Sequence, residues 1–225
     1  MRTVPTRAER RARTRTELID AAERLFTAQG FHATSLDSVA AEAGYTKGAV
    51  YSNFASKEDL FFAIYERRLE QRVAEFEAIL VSAPTALDGI EQAALTAAPR
   101  SDRSDGWLAV FFEFWAHVLR HDELRGRFAG LHRRITAPLE AALVRHAEET
   151  GVQLPEDPQK MAIARYAMQL GLQLERLTQP ELVDAELGAR MLTLSIDGGP
   201  QDGLPDHAPS GLRKRRARKQ GPARA

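Results

Sequence analysis

Residues 34–60 read TSLDSVAAEAGYTKGAVYSNFASKEDL, and the punctuation of this stretch decides the fold. Thr34, with Asp37 three residues on, makes a capping-box-like pair in which Asp stands where Glu or Gln is usual. Leu36, Val39, Ala40 and Ala43 then supply the apolar face of a short helix, and Gly44 is placed to end it. A second short helix begins near Thr46, keeps Val50 and Phe54 on its buried side and stops before Ser56. Ser56 has the position of an N-cap for a long helix, because Glu58 and Asp59 fall in its first turn, where the helix dipole favours anions.

Working outward, Leu18, Ala21, Ala22, Leu25 and Phe26 recur at helical spacing from Thr16 onward, and Gly30 can cap that helix in the left-handed region. Three short helices in so few residues can bury their faces only against one another, which is how a helix-turn-helix bundle is built. Downstream, Leu60, Ile64, Leu69, Val73, Phe76 and Leu80 carry the long helix to about Ser82. Further helices are expected over Pro84–Ala98, Gly106–His121, Asp122–Thr150, Pro158–Thr178 and Glu181–Leu194, parted by Pro, Gly or polar breaks. Nothing reads as a strand, so the expected fold is all-α. Its parts are a basic arm (1–15), a three-helix helix-turn-helix domain (16–60), a larger helical domain (61–195) and a disordered basic tail (196–225).

The totals agree with this organisation. At 225 residues, 44% hydrophobic and 28% charged, the chain can bury a sizeable core. Its formal net charge is zero, yet the charge is segregated. Arg2, Arg7, Arg10, Arg11, Arg13 and Arg15 crowd one end, and Arg213, Lys214, Arg215, Arg216, Arg218 and Lys219 the other. Cysteine is absent, which excludes disulfides, thiolate metal sites and thiol catalysis. The most apolar stretch, Trp107–Leu119, is too short for a membrane span and is broken by Glu113 and His117. No apolar signal-peptide core follows the basic N-terminus, and a cytoplasmic location is expected.

Ala40, Ala43, Gly44, Lys47, Gly48, Tyr51, Phe54, Lys57 and Glu58, with Phe26, Gly30 and Phe31 upstream, stand at the spacings of the N-terminal pattern of the TetR family of bacterial transcriptional regulators, which the chain resembles over about fifty residues. The resemblance implies an N-terminal DNA-binding domain, a C-terminal ligand-binding and dimerisation domain, a homodimer, and a palindromic operator in double-stranded DNA. The residues suit such a role: Thr46, Lys47, Gly48 and Ala49 give the third helix a small, polar leading end that fits a major groove. Carried over position by position, the resemblance puts Thr34, Tyr51, Asn53 and Lys57 on phosphates and Tyr45, Thr46, Lys47 and Gly48 in the groove, with Ser52 beside them. Asn53 stands where the family often has His, and Tyr45 where it often has an aliphatic residue.

The larger domain has no comparably sharp motif. Trp107, Phe111, Phe114 and Trp115 enrich one helix with aromatics, and Met168, Gln169 and Gln173 add a flexible thioether and polar anchors on another, a composition suited to an apolar pocket for a small-molecule effector. Core packing alone would explain each of them equally well. Glu113, His117 and His121 share one helical stripe, but that spacing by itself does not make a metal site, and neither metal nor cofactor is expected. The family's dimer interface corresponds to Pro158–Thr178 and Glu181–Leu194, where Ile163, Ala167, Leu170, Leu174 and Leu177, with Leu187, Met191 and Leu194, form apolar faces. No nucleophile triad, phosphate loop or ligand cluster can be assembled, so an enzyme is not expected. The reading is a ligand-responsive repressor. A sequence-tolerant architectural DNA-binding protein without a ligand is the alternative.

Overall fold

A computed structural model describes residues 6–96 and 102–184, together with positions 187 and 191, and all its regular structure is helical. Eight helices run in order: α1 (Arg7–Gln29), α2 (Leu36–Ala43), α3 (Lys47–Tyr51), α4 (Lys57–Ser82), α5 (Ala86–Thr96), α6 (Asp102–Val118), α7 (Asp122–Thr150) and α8 (Pro158–Thr178). No described helix is long and apolar enough to cross a membrane. Of the helix expected over Glu181–Leu194, residues 181–184 are turn and loop, positions 187 and 191 are helical, and the other positions, with the basic tail, lie outside the described residues.

The helix ends follow local chemistry. Ser56 caps α4 by accepting from the Asp59 N–H at 3.1 Å, and Asp157 caps α8 by accepting from Lys160 N–H at 3.1 Å, with Pro158 in the first turn, where a missing N–H costs nothing. Gly44 closes α2 at φ 72°, in the left-handed region. Several boundaries differ from the sequence expectation: α5 starts at Ala86 rather than Pro84, and α6 runs Asp102–Val118 rather than Gly106–His121. Ser35, not Thr34, caps α2, and its capping-box partner is Ser38 rather than Asp37. The first helix starts at Arg7 instead of Thr16, because Thr6 and Glu9 form a reciprocal capping box. The described part of the expected arm is therefore helix.

α1, α2 and α3 pack as a small bundle whose interior holds Leu18, Phe26, Val39, Val50 and Phe54. One buried cluster continues from Leu18 and Phe26 through Phe31, Leu60, Phe61, Phe62 and Ile64 to Phe111, Phe114 and Phe128, and on to Leu170 of α8. A second cluster, around Leu80, Ile90, Leu143, Met161 and Ala162, fills the far end of the body. Charge fixes α4 between the two halves. Arg67 reaches Asp20 of α1 at 2.5 Å and also pairs with Glu23. On the other side, Arg127 of α7 reaches Asp59 at 2.8 Å and Glu66 at 3.1 Å while lying over the Phe62 ring.

Candidate nucleic-acid interface

The turn from α2 to α3 is built by backbone closure: the Tyr45 N–H donates to the Ala40 carbonyl at 2.9 Å once Gly44 has reversed the chain. Thr46 then caps α3, its hydroxyl accepting from the Ala49 N–H at 3.3 Å. With Val50 buried beneath, Thr46, Lys47, Gly48, Tyr51 and Ser52 face outward, and Tyr51 is 58% exposed, unusually open for a large aromatic residue. A solvent-facing Tyr51 is the opposite of a core aromatic. Gly48 meets nothing closer than the Thr46 hydroxyl at 3.8 Å from where a Cβ would stand, so its surface is open.

The remaining candidates are held more tightly. Lys47 pairs with Asp37 of α2, and this hydrogen bond and charge raise the ammonium above its ordinary pKa. Tyr45 is half-buried and turned toward α1, where its hydroxyl bonds Glu17 and lies 3.4 Å from the Thr14 hydroxyl. Asn53 donates to the Ala49 carbonyl at 2.8 Å. Thr34 is 1% exposed; its hydroxyl donates to the Gly30 carbonyl at 2.8 Å and accepts from the Gln29 amide at 3.1 Å. Lys57 turns inward, donating to the carbonyls of Phe31 at 2.9 Å, Thr34 at 3.0 Å and His32 at 3.3 Å, with its ammonium over the Phe31 ring. Thr34 and Lys57, read from the resemblance as phosphate contacts, have their polar atoms committed to the segment entering α2. The reason is geometric: both sit beside a turn whose carbonyls need donors.

Sequence reasoning missed a brace from α1. Arg15 donates to the Asn53 carbonyl at 3.0 Å and lies over the Phe54 ring, and Arg11 reaches the Ser52 carbonyl at 3.5 Å. Both carbonyls are at the C-terminal end of α3, where the helix dipole is negative and a guanidinium is favoured. The four-residue spacing of Arg7, Arg11 and Arg15 was the available signal.

The effector candidates do not converge on one place. Phe114 is fully buried and stacks on Phe61 with ring centroids 3.8 Å apart, while Trp107 stacks on the same Phe61 and has the Arg68 guanidinium over its ring. These two residues belong to the junction with the first bundle. Phe111 and Trp115 turn into the body against Phe128 and His132, and the Trp115 and His132 rings are 4.8 Å apart. Burial holds the His132 pKa below its ordinary value, opposed by the Phe128 carbonyl, so the ring is neutral. Tyr166 closes that group from α8, and Gln169, one turn further, buries an amide oxygen with no protein hydrogen bond. Met168 joins the far cluster instead, and Gln173 is half-buried. Glu113, His117 and His121 do lie together, but among the described residues no group of three or more acidic or imidazole side chains has a metal-binding arrangement.

A braced helix-turn-helix carried on a larger helical body defines a class of DNA-binding regulators. Residues 18–64 match the family model of bacterial regulatory proteins of the tetR family, and residues 86–198 match that of the BetI-type transcriptional repressor C-terminal domain. The chain belongs to the TetR family, whose members are transcriptional regulators and not enzymes. It is 29% identical over 135 residues to the transcriptional activator FasR of Mycolicibacterium smegmatis, a match covering 60% of this chain and 53% of FasR. It is 45% identical over 64 residues to the regulator AcrR of Shigella flexneri, covering 28% of this chain and 29% of AcrR. Among solved structures, SmeT, the repressor of the Stenotrophomonas maltophilia multidrug efflux pump SmeDEF, superposes with a TM-score of 0.61 at 28% identity, covering 80% of this chain and 87% of SmeT. The matches to the two sequence relatives span about half of FasR and under a third of AcrR.

Proposed function

We propose that the protein is a ligand-responsive repressor that binds a palindromic operator in double-stranded DNA as a homodimer and leaves it when a small molecule enters the helical body. The observation that carries this reading is the outward face of α3, small and polar at Thr46, Lys47, Gly48 and Ser52, with Tyr51 exposed and its C-terminal end braced by Arg11 and Arg15. Thr46, Lys47 and Gly48 read bases, Tyr51 and Ser52 contact phosphate, and Tyr45 supports the turn. Exposed Arg7 and Arg10 on the first turns of α1 are free to follow the phosphate backbone.

The dimer is supported by the outer face of α8, where Ile163, Leu174 and Leu177 are exposed although apolar. Two copies related by a twofold would present two α3 helices to one side of DNA, and the operator would then be an inverted repeat. Release by a small molecule is supported by the aromatic interior around Phe111, Trp115, Phe128 and Tyr166, and by the partnerless buried Gln169 oxygen. That a small molecule is sensed and that the response is repression are both taken from the family. The C-terminal match is to a repressor type, whereas FasR is named an activator.

Selection of bound duplexes from a random pool, followed by competition of the selected duplex with a panel of small molecules, tests the proposal. An inverted-repeat consensus displaced by at least one compound supports it. Equal affinity for selected and random duplexes refutes it and favours an architectural role.

A further inference from the structure

The segment 30–34 leads from α1 into the cap of α2, so its position sets the tilt of α2 and, through it, α3. It is gripped from two sides. Glu113 of α6 accepts from the backbone N–H groups of Phe31 and His32, both at 2.8 Å, while Lys57 of α4 donates to the carbonyls of Phe31, His32 and Thr34. A Cβ on Gly30 would lie 2.8 Å from a Glu113 carboxylate oxygen, so the glycine leaves room for the carboxylate. A carboxylate from the body and an ammonium from α4 thus hold opposite edges of one short piece of backbone.

Imidazoles surround this grip. His32 Nε2 lies 3.9 Å from Glu113 Oε1. His117, one turn along α6 from Glu113, lies 3.3 Å from Glu58 Oε1 of α4. Its ring meets Phe31 at 5.2 Å, His32 at 5.7 Å and His121 at 4.0 Å between centroids. His121 Nδ1 is 2.8 Å from the His117 carbonyl, where the ring nitrogen donates. The titratable groups that act on His117 are therefore Glu58 from α4, His121 from the turn between α6 and α7, and His32 from the segment between α1 and α2, with Lys57 and Glu113 engaged on the backbone of that segment.

We propose that this cluster is a proton-responsive joint: protonation of His117 between the His32 and His121 rings loosens the hold of Glu113 and Lys57 on residues 30–34 and resets the orientation of α2 and α3. Burial and the neighbouring His121 hold the His117 pKa below its ordinary value; Glu58 opposes this, and His32 adds to the lowering. The sign follows. A group with its pKa lowered in the closed joint takes its proton more readily when the joint opens, so the closed state is favoured above the ordinary histidine range and weakens as the pH falls below about 6.5. The joint is a property of the free chain, whereas its regulatory meaning rests on the DNA-binding reading above.

The test is amide hydrogen exchange on the full-length chain without DNA at about pH 7.5 and about pH 5.5, expressed as protection factors so that the intrinsic pH dependence cancels. Protection at Phe31 and His32 is expected to fall about threefold or more on acidification, to stay unchanged with pH in His117→Gln, and to be low at both values in Glu113→Gln. Constant protection in the wild type, or an equal loss in His117→Gln, overturns the proposal. In the wild type, the His117 ring resonances should titrate within the pH range over which protection falls, a comparison that needs no variant to fold; a His117 titration outside that range also overturns it. On a selected duplex, a pH profile of affinity that His117→Gln flattens supports the regulatory role, and identical profiles refute that role. A chain that binds no duplex refutes the DNA-binding reading and leaves the exchange result standing.

Discussion

Lys57→Met separates two roles that the sequence leaves together. The substitution keeps the apolar stem beside Phe31 and removes the ammonium from the carbonyls of Phe31, His32 and Thr34. A hydrogen bond to a charged group contributes about 1.5–3 kcal/mol net. Two of the three bonds, to Phe31 and Thr34, are part-buried. Counting those two at the low end gives about 3 kcal/mol, and water reaching the freed carbonyls lowers the expected loss to about 2 kcal/mol. Urea unfolding of the full-length chain should show this as a lower midpoint at an unchanged slope. Binding to a selected duplex should weaken, because α2 loses its anchor, but its salt dependence should not change. A lysine that neutralises a phosphate contributes about 0.9 to the slope of log K against log salt, so a phosphate role predicts that decrement and an internal role predicts none. A drop of about 0.9 with unchanged urea stability would refute the reasoning and return Lys57 to the DNA.

Asp37→Asn releases Lys47 from its ion pair, and affinity for the selected duplex should rise about threefold at low salt, as measured by fluorescence anisotropy. An unchanged or weaker affinity would mean that Lys47 does not meet DNA. Gly106→Ala places a Cβ 2.6 Å from the Thr27 side-chain methyl, where α6 meets α1, and overpacking there should cost about 1–3 kcal/mol in thermal or urea unfolding. Thr27→Ser in the same chain removes that methyl and should recover most of the loss. Burial keeps His132 neutral, so the unfolded chain takes up the proton more readily and stability should fall as the pH drops below about 6.5. That fall should be shallower in His132→Gln, and equal slopes would remove His132 as its source.

Where a helix owes its limits to its own residues, the sequence was sufficient. Ser56 with its acidic first turn, Gly44 at the end of α2, and Pro158 and Gly151 around the final turns marked boundaries that the structure reproduces. α1 was drawn too short because its first turns have no apolar periodicity. The Thr6–Glu9 capping box starts it, and Arg11 and Arg15 hold it to carbonyls at the end of α3, partners that have no sequence signature. The sequence reading names Thr34 as the cap of α2, but the Thr34 hydroxyl is engaged with Gly30 and Gln29 and the neighbouring Ser35 takes that role. The same limitation explains Glu113 and His117. Their spacing marks one helical stripe and no more, whereas Glu113 faces two backbone amides, and no side-chain pattern reveals a backbone partner.

The aromatic residues of α6 show why a pocket could not be read from composition. Trp107 and Phe114 are seven positions apart and stand nearly in line on a helix, and both meet Phe61. Phe111 and Trp115 are four apart and turned further round the same helix, toward Phe128 and His132. One broad aromatic stripe therefore serves two adjoining surfaces, the junction with the DNA-binding bundle and the interior of the body. The same helix carries Phe114 and Glu113 against the segment before α2, so the surroundings of Trp115 and the hold on that segment belong to one rigid element. α4 grips the same segment from its opposite side through Lys57, so the chain leading into α2 is held jointly by α4 and α6.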